Sequence, residues 1–133
     1  MAKTNRQLLL HMIDYAKQID EANEMFHADL ETLKNNSVYR NAVAMCVLQI
    51  GELAGKLTED FRSETSSEIP WRAVRGLRNI VAHSYGSVDS ESLWETITAD
   101  IPTLADFCRR KIEEMNAAET EKQGASGENG QSQ

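Results

Sequence analysis

The large apolar residues of this chain recur at spacings of three and four along most of its length, and that rhythm admits helices and little else. Leu8, Met12, Tyr15, Ile19, Ala22 and Phe26 form one stripe, which predicts a helix from about Thr4 to Met25. Asp14, Lys17, Asp20, Glu21 and Glu24 fall on its other side as a solvated face. A short helical turn over about Ala28 to Lys34 leads to Asn35-Asn36-Ser37, a loop and cap signal. The next helix, Val38 to about Glu59, is the most apolar. Val43, Val47, Ile50, Ala54, Leu57 and Phe61 make its main stripe, while Ala42, Met45 and Leu53 cover an adjacent side. A helix apolar over most of its circumference is central in a bundle or lies in an interface. Gly51 and Gly55, one turn apart, cost roughly 1 kcal/mol each against Ala. Such a cost in a core helix predicts that another helix backbone packs closely there. Glu52 lies between them, either as a carboxylate at the margin of the buried face or as a member of a site.

Arg62 to Glu68 reads as a polar loop, and Ile69-Pro70 opens a further helix with Pro70 suited to its first position. Trp71, Val74, Leu77 and Val81 make that helix's stripe, and Gly86-Ser87 breaks the chain. Asp89 or Ser90 caps a last long helix through Leu93, Ile97, Ile101, Leu104, Cys108, Ile112 and Met115, with a kink expected near Thr98 to Ile101 because Pro102 lacks a backbone donor. After Met115 no large apolar residue follows, so 116–133 is expected to be a disordered tail on a helical domain of residues 1–115. No segment alternates as a strand. The fold class is all-α, with four main helices.

Composition narrows the function. No apolar run approaches the ~18–20 residues that span a bilayer, and no secretory-type apolar segment follows the N-terminus, so a cytoplasmic protein is expected. Cys46 and Cys108 sit in apolar helical patterns and read as buried thiols. His11, His27 and His83 have no metal-ligand spacing, His11 and His27 read as surface residues, and no metal or cofactor is expected. A formal net charge of −7 argues against generic nucleic-acid binding, so any contact with RNA or a nucleotide must be local.

One stretch is locally positive. Between Trp71 and Gly86 there are Arg72, Arg75 and Arg78 and no acidic residue, and Arg78 is followed by Asn79, His83 and Tyr85. A guanidinium fork, a group that titrates near neutrality and a phenol within eight positions suit phosphate handling. On an unbroken helix Arg78 and His83 stand about 140° apart, so the helix must fray near His83 or a second copy of the chain must complete the site. Arg and His in a last helical turn are also favoured simply by the helix dipole. The missing acidic partners tip the balance towards a site.

Arg78-Asn79, Ile80-Val81-Ala82 and His83-Ser84-Tyr85 together resemble the R-x4-H-x-Y motif of the HEPN superfamily, and more closely that of HepT-like toxins encoded beside a minimal nucleotidyltransferase antitoxin. Asn41 to Ala54, Ile69 to Arg72 and Ile101 to Leu104 resemble further blocks of that branch, in the same order. The resemblance implies an up-and-down bundle of four to five helices that dimerises and cleaves RNA without a metal. It implies a type VII-like toxin–antitoxin pair, with motif residues from both subunits lining a cleft. His83 then moves protons, Arg78 stabilises the phosphate and Asn79 orients one of them. Arg72 and Arg75 are candidates for RNA-backbone contacts, and Glu52 for a supporting role. Tyr85 becomes the residue to which the partner transfers AMP. A second reading stays open, in which the chain is a non-catalytic, nucleotide-binding or regulatory partner of a nucleotidyltransferase. A purely structural dimer leaves the arginines unexplained.

Overall fold

Helix α1, Asn5–Met25, opens on a reciprocal cap. The Thr4 hydroxyl accepts from the Gln7 N–H at 3.1 Å, and the Gln7 side chain accepts from the Thr4 N–H at 2.9 Å. The structure is a computed structural model that describes residues 3–82 and 89–131, with side chains for 3–80 and 89–124. Its described residues form only helices and turns: α2 Leu30–Asn35, α3 Ser37–Lys56, α4 Glu59–Glu64, α5 Trp71–Ala82, α6 Ser90–Glu95 and α7 Ile101–Gln131. The all-α expectation is met. At the end of α1, exposed His27 takes the left-handed conformation (φ 52°), and the Ala28 N–H turns back to the Asn23 carbonyl.

Helix α3 is central, packed against α1 on one side and α5 on another, while α1 also packs on α7. Val43, Val47, Ile50 and Ala54 of α3 are completely buried, against α1 residues such as Leu9 and Ile19. The adjacent side divides. Leu53 is buried, but Val38 is 67% and Met45 53% exposed, and Ala42 is exposed too. At α3's start Asn36 accepts from the Val38 and Tyr39 N–H groups, as the cap signal predicts.

The end of α3 differs from the expected Glu59. The helix stops at Lys56, Leu57 is extended (φ −61°, ψ 148°), and the Thr58 hydroxyl caps α4 by accepting from the Phe61 N–H. A threonine cap outcompetes continuation here, because its hydroxyl satisfies a donor that a helix start would leave open. Part of the expected polar loop, Arg62 to Glu64, is therefore helical. Phe61, Trp71 and Phe107 then form an aromatic cluster with ring centroids 5.7–6.3 Å apart.

Helix α5 begins at Trp71, one residue later than expected, with the Pro70 carbonyl accepting from Val74. Its start is pinned twice. The Trp71 indole N–H donates to buried Thr65 at 2.8 Å, and Thr65 donates to the Phe61 carbonyl. Glu68 pairs with Arg110 at 2.9 Å and Lys111 at 3.7 Å on α7, and the Arg110 hydrogen bond leads in holding its carboxyl below the usual range.

Where Pro102 predicts a kink, the last helix widens into a π turn at Thr96–Asp100. The Ile101 N–H donates to the Thr96 carbonyl five residues back, a wider turn that accommodates a ring unable to donate to Thr98. Helix α7 continues to Gln131, through the segment whose composition predicts disorder. Met115 is the last residue packed on the core, and 116–124 is exposed. That length of helix is held by its own backbone bonds and by Asn116 accepting from Arg6.

Candidate functional site

The periodicity of α5 separates two faces. Trp71, Val74 and Leu77 are buried, which turns Arg72, Arg75, Arg78 and Asn79 outward, all exposed. Helix α3 comes very close on one flank. A Cβ on Gly51 would stand 3.1 Å from the Arg78 nitrogen and 3.3 Å from the Val74 carbonyl oxygen, tighter than most side chains are held, so glycine suits this backbone contact. The glycine argument from sequence holds at Gly51. At Gly55 the nearest atom is the Arg75 side chain at 3.6 Å, an ordinary contact that leaves the guanidinium arm lying across α3.

Between the two helices lies a cleft of about 430 Å³. Gly51, Glu52, Gly55 and Lys56 line it from α3; Arg72, Arg75, Gly76, Arg78 and Asn79 line it from α5. The structure thus brings five of the sequence-derived candidates to one cavity: Arg78, Asn79, Arg72, Arg75 and Glu52. His83 and Tyr85 lie outside the described residues, as do the Gly86-Ser87 break and the side chain of Val81.

One premise needs correction. Arg78 has a carboxylate partner, from another helix: its Nη1 lies 3.2 Å from Glu52 Oε1. The absence of acidic residues within the segment could not reveal a partner 26 positions away. Arg72 and Arg75 do form no ion pair among the described residues. The Glu52–Arg78 pair is open to solvent, at 44% and 58% side-chain exposure, so it contributes little to stability and can be exchanged for another anion.

Two lining residues escaped the sequence argument. Lys56 stands one turn after Glu52 on the same face, a signal legible once that face is known to be exposed. Gly76 sits in the middle of α5 with nothing within 4 Å of where its Cβ would be, so packing gives it no reason. Among the described residues no group of three or more His, Cys, Asp or Glu side chains could hold a metal ion. The thiols are buried, and burial pushes Cys108 up to about 12, so neither it nor Cys46, also raised, is an available nucleophile. No helix among the described residues is long and apolar enough to cross a membrane.

The chemistry of this cavity is that of an anion receiver: four cationic side chains, Lys56, Arg72, Arg75 and Arg78, face one carboxylate across an open floor of glycine backbone. Residues 12–111 match the family model described as "Ribonuclease HepT-like". A Thermococcus cleftensis protein named "Probable ribonuclease HepT" is 33% identical over 96 residues, covering 68% of this chain and 86% of its own. A Methanocaldococcus jannaschii protein provisionally named an RNase is 34% identical over 93 residues, or 70% of this chain and 76% of its own. A similarly named protein of Caldanaerobacter subterraneus is 30% identical over 102 residues, or 77% and 88%. No solved structure matches. With three-quarters of its length under one family model and its arginine-lined cleft inside that span, the chain belongs to the HepT-like ribonuclease family.

Proposed function

We propose that this protein is an endoribonuclease that needs no metal and serves as the toxin of a type VII-like toxin–antitoxin pair in the cytoplasm. The observation that carries this is a cationic cleft on a chain of net charge −7, with Arg78 and Asn79 in it and His83 following α5 directly in sequence. Cleavage through the ribose needs three things: a base for the 2′-OH, a proton for the departing 5′-oxygen, and positive charge on the phosphorus centre. In this reading the 2′-oxygen loses its proton to His83 and attacks phosphorus. The bond to the 5′-oxygen breaks and that oxygen takes the proton back from the His83 imidazolium, leaving a 2′,3′-cyclic phosphate and a 5′-hydroxyl. Arg78 holds the non-bridging oxygens, which a planar fork does better than a lysine, and Asn79 orients the phosphate or the imidazole. The catalytic unit is residues 1–115.

The unit acts as a homodimer in this reading. Support comes from α3, where Val38, Ala42 and Met45 are exposed on the same helical face as Glu52 and Lys56. A second copy seated on the apolar half of that face sits beside the cleft on the other half. Tyr85, two residues past His83, is the point at which a partner nucleotidyltransferase attaches AMP; its phosphate then competes for the charge that RNA requires.

The test is one cleavage assay with several arms. Cleavage should persist in chelator and leave cyclic or 3′-phosphate ends, and Arg78→Ala or His83→Ala should each lower it by roughly 10²-fold or more. With a cognate nucleotidyltransferase and ATP, the protein should gain the mass of one or more adenylyl groups and fall silent, whereas Tyr85→Phe stays active. Activity lost to chelator alone, or surviving both substitutions, refutes the nuclease assignment. Undiminished silencing of Tyr85→Phe refutes control through that residue.

A further inference from the structure

A second, more open depression of about 730 Å³ adjoins the cleft and shares Arg72 and Arg75 with it as a common ridge. Its far wall is α4 and the turn after it, with Arg62, Ser63 and Ser66. Arg62 was no part of the motif, yet it reaches back towards α3. Its Nη1 lies 3.5 Å from the carbonyls of Ala54 and Gly55, at the C-terminal end of α3 beside the cleft. The two hollows thus adjoin along Arg72 and Arg75, and together they make one trough with a low divide.

Its charge is lopsided. Lys56, Arg62, Arg72, Arg75 and Arg78 line it against Glu52 and Glu59, five cations to two carboxylates, on a molecule of net charge −7. Lys34, Arg109, Arg110 and Lys111 are each paired with a carboxylate, whereas Lys56, Arg62, Arg72 and Arg75 form no ion pair among the described residues. Other cations without an ion pair among the described residues, such as Lys17, stand elsewhere on the surface, but here five converge on adjoining hollows of an acidic protein, which favours an extended anion there. Among the described residues the groove offers no stacking platform. Trp71, the aromatic that borders it, is only 5% exposed. The contacts these described residues offer are to phosphates, which carry no base identity.

We propose that single-stranded RNA leaves the reaction centre along this trough, its backbone crossing Arg75 and Arg72 and ending on Arg62. The inference rests on the ribonuclease reading and adds the direction of the strand and a distal subsite. Arg78 to Arg72 is six residues of helix, about 9 Å, or roughly two to three steps of a stacked strand at ~3.4 Å each. Arg62 lies beyond that, so a substrate must extend several nucleotides to one side of the scissile bond. A strand's backbone can settle between α3 and α5, while a duplex meets only the rim.

The probe is 2′-O-methyl RNA, which lacks the nucleophile, bound to the full chain and followed by anisotropy across a salt series. For a single-stranded dodecamer, Arg62→Gln should weaken binding several-fold and reduce the slope of log K against log salt by about 0.7, the value of one lost phosphate contact. Ser66→Glu should also weaken it, without touching the Arg62 contacts to α3. Lys17→Gln removes the same charge from the exposed face of α1 and should leave binding unchanged. A tetramer should feel Arg62→Gln much less than the dodecamer. If Arg62→Gln and Ser66→Glu both bind as Lys17→Gln does, or a duplex of equal length binds tighter, the trough is not the path. Arg62-dependent binding by a protein that never cuts RNA would overturn the ribonuclease reading alone.

Discussion

Arg78 and Glu52 meet at 3.2 Å across the mouth of the cleft, each substantially open to water. An exposed pair of this kind holds the fold by about 0–1 kcal/mol, so its importance is elsewhere. Glu52 occupies the guanidinium that the reading above gives to phosphate, and RNA must displace it. Glu52→Gln removes that competitor and one negative charge from the cleft. The expected result is several-fold tighter binding of 2′-O-methyl RNA, with stability changed by less than about 1 kcal/mol in urea unfolding. Weaker binding would mean instead that the carboxylate positions Arg78 for its task.

At the scale of the element, α3 and α5 meet through Gly51, and α5 carries a second glycine with no such purpose. The two make opposite predictions for the same change. Gly51→Ala puts a methyl 3.1 Å from the Arg78 nitrogen and 3.3 Å from the Val74 carbonyl oxygen, both backbone atoms of a helix that cannot yield separately. Overpacking costs about 1–3 kcal/mol and the gain in helix propensity returns about 1, so net destabilisation of roughly 1 kcal/mol is expected. Gly76→Ala meets nothing within 4 Å and should stabilise by about 0.5–1 kcal/mol. Thermal unfolding at one protein concentration checks both signs. A gain at Gly51 would mean that the helices can part without loss.

At the scale of the whole molecule, the face of α3 that runs from Val38 through Met45 to Lys56 is half apolar patch and half cleft. A homodimer closing on the apolar half predicts a specific response to Met45→Glu. The residue is 53% exposed in the single chain, so the monomer keeps its fold. Sedimentation should show dissociation at micromolar concentration, and RNA cleavage should fall with it. A monomeric Met45→Glu protein with full activity would remove the second subunit from the site.

Sequence alone determined the all-α class, the start of α1 near Thr4, the cap at Asn36, the irregular turn before Pro102 and the cationic face of α5. Each depends on neighbours within a turn or two, where spacing and side-chain chemistry act directly. The break after Lys56 was missed because a threonine cap and a continuing apolar stripe compete locally, and Phe61 satisfies either. Only the tertiary structure decided that Glu52 neutralises Arg78, that Gly51 and not Gly55 is the point of backbone contact, and that Lys56 and Arg62 join the arginines of α5. Those pairings lie 10 to 27 residues apart along the chain, beyond the reach of helical periodicity, and they exist because burying the apolar faces of α3 and α5 against each other brings their polar flanks together.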